Sequence, residues 1–342
     1  MSGLNSTGKS SVLQSLLLLR QSFEQKLLDR VGLALNGDLV SIGTAQDALY
    51  ESAPEDILKL RISDNNKATA EWCFNYNRNS DVMELDQELT AVDPTIYQSS
   101  LFNDNFHYIQ AERLGPRRYF EMSDFQVRQH RQLGSQGEYV AYFIDIYRDE
   151  KIINSDLCHP SANSLTLKDQ VEAWISEISP GTKLNIAKNS AMDVVSLQYS
   201  YGLSNDYRST NVGFGITYVL PILVAILSAQ PDTLILLENP EAHLHPKGQS
   251  KMGRLLALAA NCGIQIIVET HSDHLLNGIR VAVCEELAKA DDVQIHYFKR
   301  HFEDERNIIT EVVSPRLYQD GGIDLWPEGF FDQSEHDLMD LL

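Results

Sequence analysis

The chain has 342 residues, with 28 Lys+Arg against 48 Asp+Glu, a formal net charge of −20 and a pI near 4.8. That length holds one large α/β domain or two modest ones with ample core, and the negative field repels polyanions, so any nucleic-acid contact must use a local basic patch. Four widely spaced cysteines (Cys73, Cys158, Cys262, Cys284) form no CxxC pair and read as buried structural thiols of a cytoplasmic protein, and the longest apolar run, Tyr218 to Leu227, is broken by Pro221 and is no membrane span.

The chain opens without a signal-peptide pattern. Gly3-Leu4-Asn5-Ser6-Thr7-Gly8-Lys9-Ser10 instead satisfies G-x-x-x-x-G-K-[ST] at every position, and Val12, Leu13, Leu16, Leu17 and Leu19 follow on helical spacing. Glycines let backbone N–H groups turn inward on a phosphate chain, and the following helix adds the positive end of its dipole. Lys9 would reach the β and γ phosphates and Ser10 would offer its hydroxyl to Mg²⁺. The bland alternative is a flexible Ser/Gly segment capping a helix. Only Met1 and Ser2 precede Gly3, so the strand from which such a loop hangs must be replaced by another part of the sheet or lie upstream.

Strand-like runs follow at Arg30 to Ile42, around an Asn-Gly turn, at Ile57 to Ile62 and at Ala68 to Tyr76, which predicts an antiparallel subdomain. Phe106 to Ile109 is a short buried strand, and a Gly-Pro loop covers Arg113 to Arg118. Arg113, Arg117, Arg118, Arg128, Arg131 and two histidines make the best basic stretch, with solvated surface arginines as the alternative reading. Gly137 to Tyr147 and Leu167 to Ile178 are helical, ended by Ser179-Pro180-Gly181, and lead to strands at Lys183 to Ile186 and Val194 to Tyr201.

Asn211-Val212-Gly213-Phe214-Gly215-Ile216-Thr217 then places a glycine-flanked turn before a long apolar helix. An exposed helix start with bare backbone can hold a phosphate, including one carried by a second copy. The last third alternates strand and helix: Thr233 to Leu237, Gln249 to Ala260, Gln265 to Val268. That pattern predicts a parallel sheet with helices on its faces. The first of these strands ends in Glu238-Asn239-Pro240-Glu241-Ala242-His243-Leu244-His245-Pro246, and a carboxylate at that edge beside a phosphate loop is where Mg²⁺ is held. The next ends in Glu269-Thr270-His271-Ser272-Asp273-His274, and His271 could touch a γ-phosphate. A transition-metal cluster of His243, His245, Glu241 and His271 is the weaker alternative, since neither H-E-x-x-H nor cysteine ligands are present.

In this order the motifs resemble those of ABC-type ATPase heads, near the overcoming-lysogenization-defect ATPases and the structural-maintenance-of-chromosomes and recombination-repair ATPases. Leu325-Trp326-Pro327-Glu328-Gly329-Phe330-Phe331-Asp332, together with the Glu238 to Pro246 segment, is similar to a bacterial branch of that group. The resemblance implies an α/β P-loop NTPase of head type: a mixed sheet, an antiparallel β subdomain and an inserted, mostly helical lobe. It divides the chain into 1–120, 121–205 and 206–342.

It further implies that Gly3, Asn5, Ser6, Thr7, Gly8, Lys9, Ser10 and Ser11 bind ATP and that Ser10, Gln110 and Glu238 serve Mg²⁺. Gly213, Gly215 and Thr217 would act in trans on a second copy's γ-phosphate. His271 resembles the switch histidine, and His245 stands where the family communicates across its dimer. Asn239 replaces the usual glutamate that polarises water; an amide orients water but takes no proton, so hydrolysis would be slow or rely on Glu241. The implied partners are a second copy, in a dimer or higher homo-oligomer, and a separate effector, a nuclease being one such, in antiviral defence or DNA repair. A nucleotide-gated module with little hydrolysis and a DNA-binding clamp remain the competing functions.

Overall fold

The computed structural model describes residues 1–64, 67–302 and 308–341. Its packing divides the chain into a larger unit, Met1–Thr7 with His107–Lys299 and Glu311–Leu342, and a smaller one, Gly8–Phe106 with Arg300–Thr310.

The two-residue strand β1 (Ser2–Gly3) belongs to the larger unit. The smaller unit begins at Gly8, whose left-handed φ of 92° caps helix α1 (Lys9–Glu24). The predicted leucines Leu13, Leu17 and Leu19 form its buried face. Helix α1 docks on β2 (Gly32–Ala34) through polar side chains as well: Gln21 donates to Ala34 O at 2.8 Å, and Ser22 Oγ accepts from Ala34 N at 2.8 Å. Antiparallel pairing then builds the subdomain expected from alternation. β3 (Ile57–Ser63) pairs with β4 (Thr69–Asn75), β5 (Val82–Glu84) with β2, and β6 (Ala91–Val92) with β4. Phe23, Trp72, Tyr97 and Phe102 fill its centre as an aromatic cluster, with Phe23 stacked on Tyr97 at 5.0 Å.

In the larger unit, β7 (Phe106–Ile109) leads by a loop to β8 (Phe120–Glu121) and then helices α2 (Val140–Tyr147) and α3 (Leu167–Ser176). The hairpin of β9 (Thr182–Asn189) and β10 (Val194–Tyr201) follows, with β8 and β11 (Tyr207–Arg208) pairing on β10. Helix α4 (Phe214–Ser228) is apolar nearly all round and buried from Ile216 to Leu227 apart from Tyr218, as a core helix must be.

The chain then alternates: β12 (Leu234–Glu238), α5 (Pro246–Asn261), β13 (Gln265–Glu269), α6 (Asp273–Cys284). β12 and β13 pair in parallel, Glu238 opposite Glu269, and β7 flanks β12 in the order β13-β12-β7. Being parallel, β12 and β13 end on the same edge, and the hydrogen bond from Ala111 N, two residues past β7, to Glu238 brings the end of β7 there as well.

β14 (Tyr297–Phe302) and β15 (Ile308–Val313) follow. The Trp326–Asp332 segment works as a plug: Phe330 is fully buried, edge-on to Tyr297 at 5.4 Å and to Trp326 at 5.1 Å. One expectation fails: Cys73 is buried, but Cys158 and Cys262 are only half-buried and Cys284 is exposed. Among the described residues no helix is long and apolar enough to cross a membrane.

Candidate functional site

The start of the phosphate loop is anchored by backbone. Met1 N donates to Val268 O at 2.6 Å, Thr270 N donates to Met1 O at 3.0 Å, and Ser2 N donates to His296 O at 2.9 Å. β1 therefore runs beside the end of β13 and pairs in parallel with β14, Ser2 opposite Tyr297. Neighbouring strands thus hold this two-residue strand on both sides. Gly3 is required here by crowding: at φ 143° a Cβ would lie 2.2 Å from Phe298 O. Asn5 and Ser6 are exposed, and Thr7 Oγ1 donates to Leu4 O at 2.8 Å.

The remainder of the motif lies in the smaller unit. Lys9, Ser10 and Ser11 form the first turn of α1, Lys9 only 3% exposed and both serines exposed.

On the larger unit, the edge where β7, β12 and β13 end gathers Gln110, Glu238, Asn239, Glu241 and His271. Glu238 is held by both oxygens. Tyr108 OH donates to Oε1 at 2.8 Å and Ala111 N to Oε2 at 3.0 Å. Burial first, then the Glu238 charge, push the Tyr108 phenol well above its usual range, so it stays a proton donor to the carboxylate at neutral pH. Each oxygen keeps further acceptor capacity, as a carboxylate serving Mg²⁺ directly or through water must.

Asn239 N donates to Glu269 O at 2.8 Å, which ties β12 to the end of β13. Asn239 has φ 44°, a left-handed conformation that asparagine tolerates better than glutamate does. Its Oδ1 is a buried acceptor with no hydrogen-bond partner, and so is Glu241 Oε2. Glu241 Oε1 accepts from His271 N at 2.8 Å, so the proline-bounded turn after β12 reaches the loop after β13. The His271 side chain is exposed. Two buried acceptors in one turn suit a donor such as water, and a single carboxylate is enough protein for a Mg²⁺ whose other ligands are phosphate oxygens and water.

Arg113 binds this edge together, a role that its place in the basic stretch concealed. Only 2% exposed, it donates from one nitrogen to Gln110 O at 3.0 Å and Glu238 O at 2.7 Å, and from another to Asn239 O at 2.7 Å. The guanidinium lies 5.2 Å from the Tyr218 ring centre. Burial pulls its pKa down to about 10, leaving it charged at neutral pH. Gln249 and Ser272 also escaped the sequence reading: Ser272 Oγ donates to Gln249 Oε1 at 2.5 Å while Gln249 Nε2 donates to Leu244 O at 2.9 Å, joining α5 to the turn after β13. A glutamine one turn inside a helix and a serine at a helix N-cap are both too common to have been singled out.

The glycine turn is a different environment. Gly213 is exposed at the N-cap of α4, and a Cβ there would meet nothing within 4 Å. Gly215 is fixed by packing, since a Cβ would lie 2.5 Å from His243 O. Thr217 is 2% exposed, and its Oγ1 is buried without a hydrogen-bond partner, so it does not share the open face of Gly213. His243 packs on Tyr218 at 4.6 Å and Phe214 at 5.6 Å. His245 is exposed and caps α5, its Nδ1 accepting from Lys247 N at 3.3 Å. Among the described residues no three of His, Cys, Asp and Glu form a metal-binding group.

Residues 125–277 match the family described as "AAA domain, putative AbiEii toxin, Type IV TA system", and residues 289–341 match "Protein of unknown function (DUF3696)". No curated protein matched the chain. Among solved structures, the chain is similar to an Smc head bound to the C-winged helix domain of ScpA, at 14% identity over 92% of this chain and 89% of that one, with a TM-score of 0.50. Also similar are the Smc head domain with an extended coiled coil bound to the C-terminal domain of ScpA from Pyrococcus furiosus (12% identity, 99% and 92% covered, TM-score 0.48) and the SMC head domain from Thermotoga maritima (11%, 91% and 88%, 0.43). The first of these likenesses concerns fold: the chain has the mixed α/β P-loop NTPase fold of an ATPase head.

Proposed function

We propose that this chain is an ATP-binding, ATP-hydrolysing head that closes around nucleotide with a second copy of itself and passes that state to a separate effector. The observation that carries the reading is the constellation at one sheet edge: Glu238 held by Tyr108 and Ala111, with the buried acceptors of Asn239 and Glu241 one turn on. It accompanies a complete phosphate-loop motif whose first strand is anchored to the end of β13.

In this reading Gly3, Asn5, Ser6, Thr7, Gly8, Lys9, Ser10 and Ser11 hold the triphosphate, Ser10, Gln110 and Glu238 serve Mg²⁺, and Asn239 and Glu241 orient the attacking water. Mg²⁺ supplies neutralisation of charge developing on the phosphates. His271 contacts the γ-phosphate, and the α4 start at Gly213 and Gly215 faces that of the second copy. The effector, a nuclease among the candidates, and a role in antiviral defence or DNA repair rest on family resemblance alone, and a cytoplasmic setting rests on the four unpaired cysteines.

Asn239 favours a second reading, a nucleotide-gated switch with little turnover, because an amide cannot accept the water's proton. Solution mass measured with and without ATP and Mg²⁺, alongside phosphate release, tests both. An ATP-dependent doubling of mass that Lys9→Ala abolishes is expected, and the release rate separates motor from switch. A mass indifferent to ATP, with no nucleotide bound, would sink the proposal.

A further inference from the structure

The structure settles which arginines of the basic stretch are available. Arg113 is buried in the strand-end clamp, Arg128 pairs with Asp124 at 3.1 Å, and Arg131 pairs with Glu150 at 3.2 Å. Arg117 and Arg118 are exposed, and among the described residues neither guanidinium forms an ion pair within 4.0 Å, although the Glu138 carboxylate feels the Arg117 charge.

Both project from a strap held at each end. Leu114 N donates to Gln136 O at 2.9 Å, and buried Phe120 lies opposite Val195 in the β8–β10 pair. Midway, the hydroxyl of fully buried Ser209 donates to Arg117 O. Gly115 lets the strap lie against the Phe214 ring, since a Cβ there would be 3.1 Å from it. The result is an open cleft of about 410 Å³ lined by Gly115, Pro116, Arg117, Arg118, Tyr119 and Phe214. Tyr119 and Phe214 are each 55% exposed, so both ring faces are within reach of a ligand in the cleft.

We infer that this cleft binds single-stranded nucleic acid, Arg117 and Arg118 on two backbone phosphates and an unpaired base against Tyr119 or Phe214. Cationic fork and aromatic face side by side are the two elements of single-strand recognition, and neither needs a particular base. A duplex, with its bases stacked away, would offer the rings nothing. The chain's overall charge of −20 opposes any diffuse attraction, so contact depends on the cleft itself. This binding goes beyond the nucleotide reading and does not require it.

Fluorescence anisotropy with a labelled oligothymidylate of about 16 nucleotides, without ATP, tests it across a salt series. Replacing both Arg117 and Arg118 by alanine should weaken binding and flatten the log affinity–log salt slope by about 1.4, two single-strand phosphate contacts. Tyr119→Ala should weaken binding about tenfold at every salt concentration and leave the slope unchanged. The two signatures separate phosphate contact from stacking, and unaltered thermal unfolding of these surface variants excludes misfolding. The inference is overturned if the parent protein does not bind the oligonucleotide at low salt, if duplex of equal length competes as well, or if the variants bind like the parent. It is equally overturned if oligonucleotide binding appears only with ATP and vanishes in Lys9→Ala, which would make it a property of the ATP-bound state and not of this cleft.

Discussion

The end of β12 and the start of α4 both carry short, chemistry-bearing motifs, yet they are built in opposite ways. At the strand end, the Glu238 carboxylate, the Asn239 backbone and one Glu241 oxygen are tied to β7, β13 and the loop beyond, through Tyr108, Ala111, Arg113, Glu269 and His271, which leaves Asn239 Oδ1 and Glu241 Oε2 as the two unpartnered acceptors. At the helix start, Gly213 faces open space. A wired site is preorganised and fragile; an open one is tolerant and needs something to complete it. Substitutions in the two regions should therefore separate stability from association.

The largest effect is expected from Arg113→Ala. Three carbonyls, of Gln110, Glu238 and Asn239, lose a charged donor in a buried position. At about 1–3 kcal/mol for each buried group left unsatisfied, destabilisation of at least about 3 kcal/mol follows, with phosphate release lost in parallel. Arg113→Lys should recover only part, because an ammonium cannot span Glu238 O and Asn239 O with a planar fork. Chemical denaturation reads this directly, and an Arg113→Ala protein as stable as the parent would show that the clamp carries no weight.

Gly215→Ala comes next. Its methyl would press on the backbone carbonyl of His243, a residue itself at φ 62°, so the neighbour has little room to give. Overpacking costs about 1–3 kcal/mol, against about 1 kcal/mol gained from replacing glycine in a helix. A net loss near 1 kcal/mol, seen as a lower midpoint of thermal unfolding, is expected. An unchanged midpoint would return this glycine to a purely ligand-facing role.

How much of this was readable in advance follows from the range of the interactions. The strands at 57–63, 69–75, 106–109, 194–201 and 265–269 were legible because their apolar pattern is local, and so were the phosphate loop and the carboxylate at the end of β12. Arg113 was not. Its partners Glu238 and Asn239 lie 125 and 126 residues away, and nothing in its own surroundings distinguishes a buried arginine from Arg117 or Arg118. β1 was illegible for the same reason: two residues carry no periodicity, and the bonds that place Met1 and Ser2 come from Val268, Thr270 and His296. Sequence also gave Gly213 and Gly215 one shared role. Only the approach of His243 separates them, since one glycine is needed for room and the other is not.

Gly213→Ala is the smallest change in stability and the sharpest test of that separation. Gly213 already has φ −63° and ψ 140°, which alanine adopts without strain, and its Cβ would meet nothing within 4 Å. Alanine is the poorer N-cap, but it also restricts the unfolded chain by about 0.4–1 kcal/mol, so the two terms nearly cancel and the unfolding midpoint should hold within about 0.5 kcal/mol. If this helix start meets a second copy's phosphate, the added methyl stands in the path of that contact. ATP-dependent doubling of mass should then weaken while stability does not change. A variant that still doubles its mass with ATP would leave Gly213 a simple helix cap and move the trans contact elsewhere on the molecule.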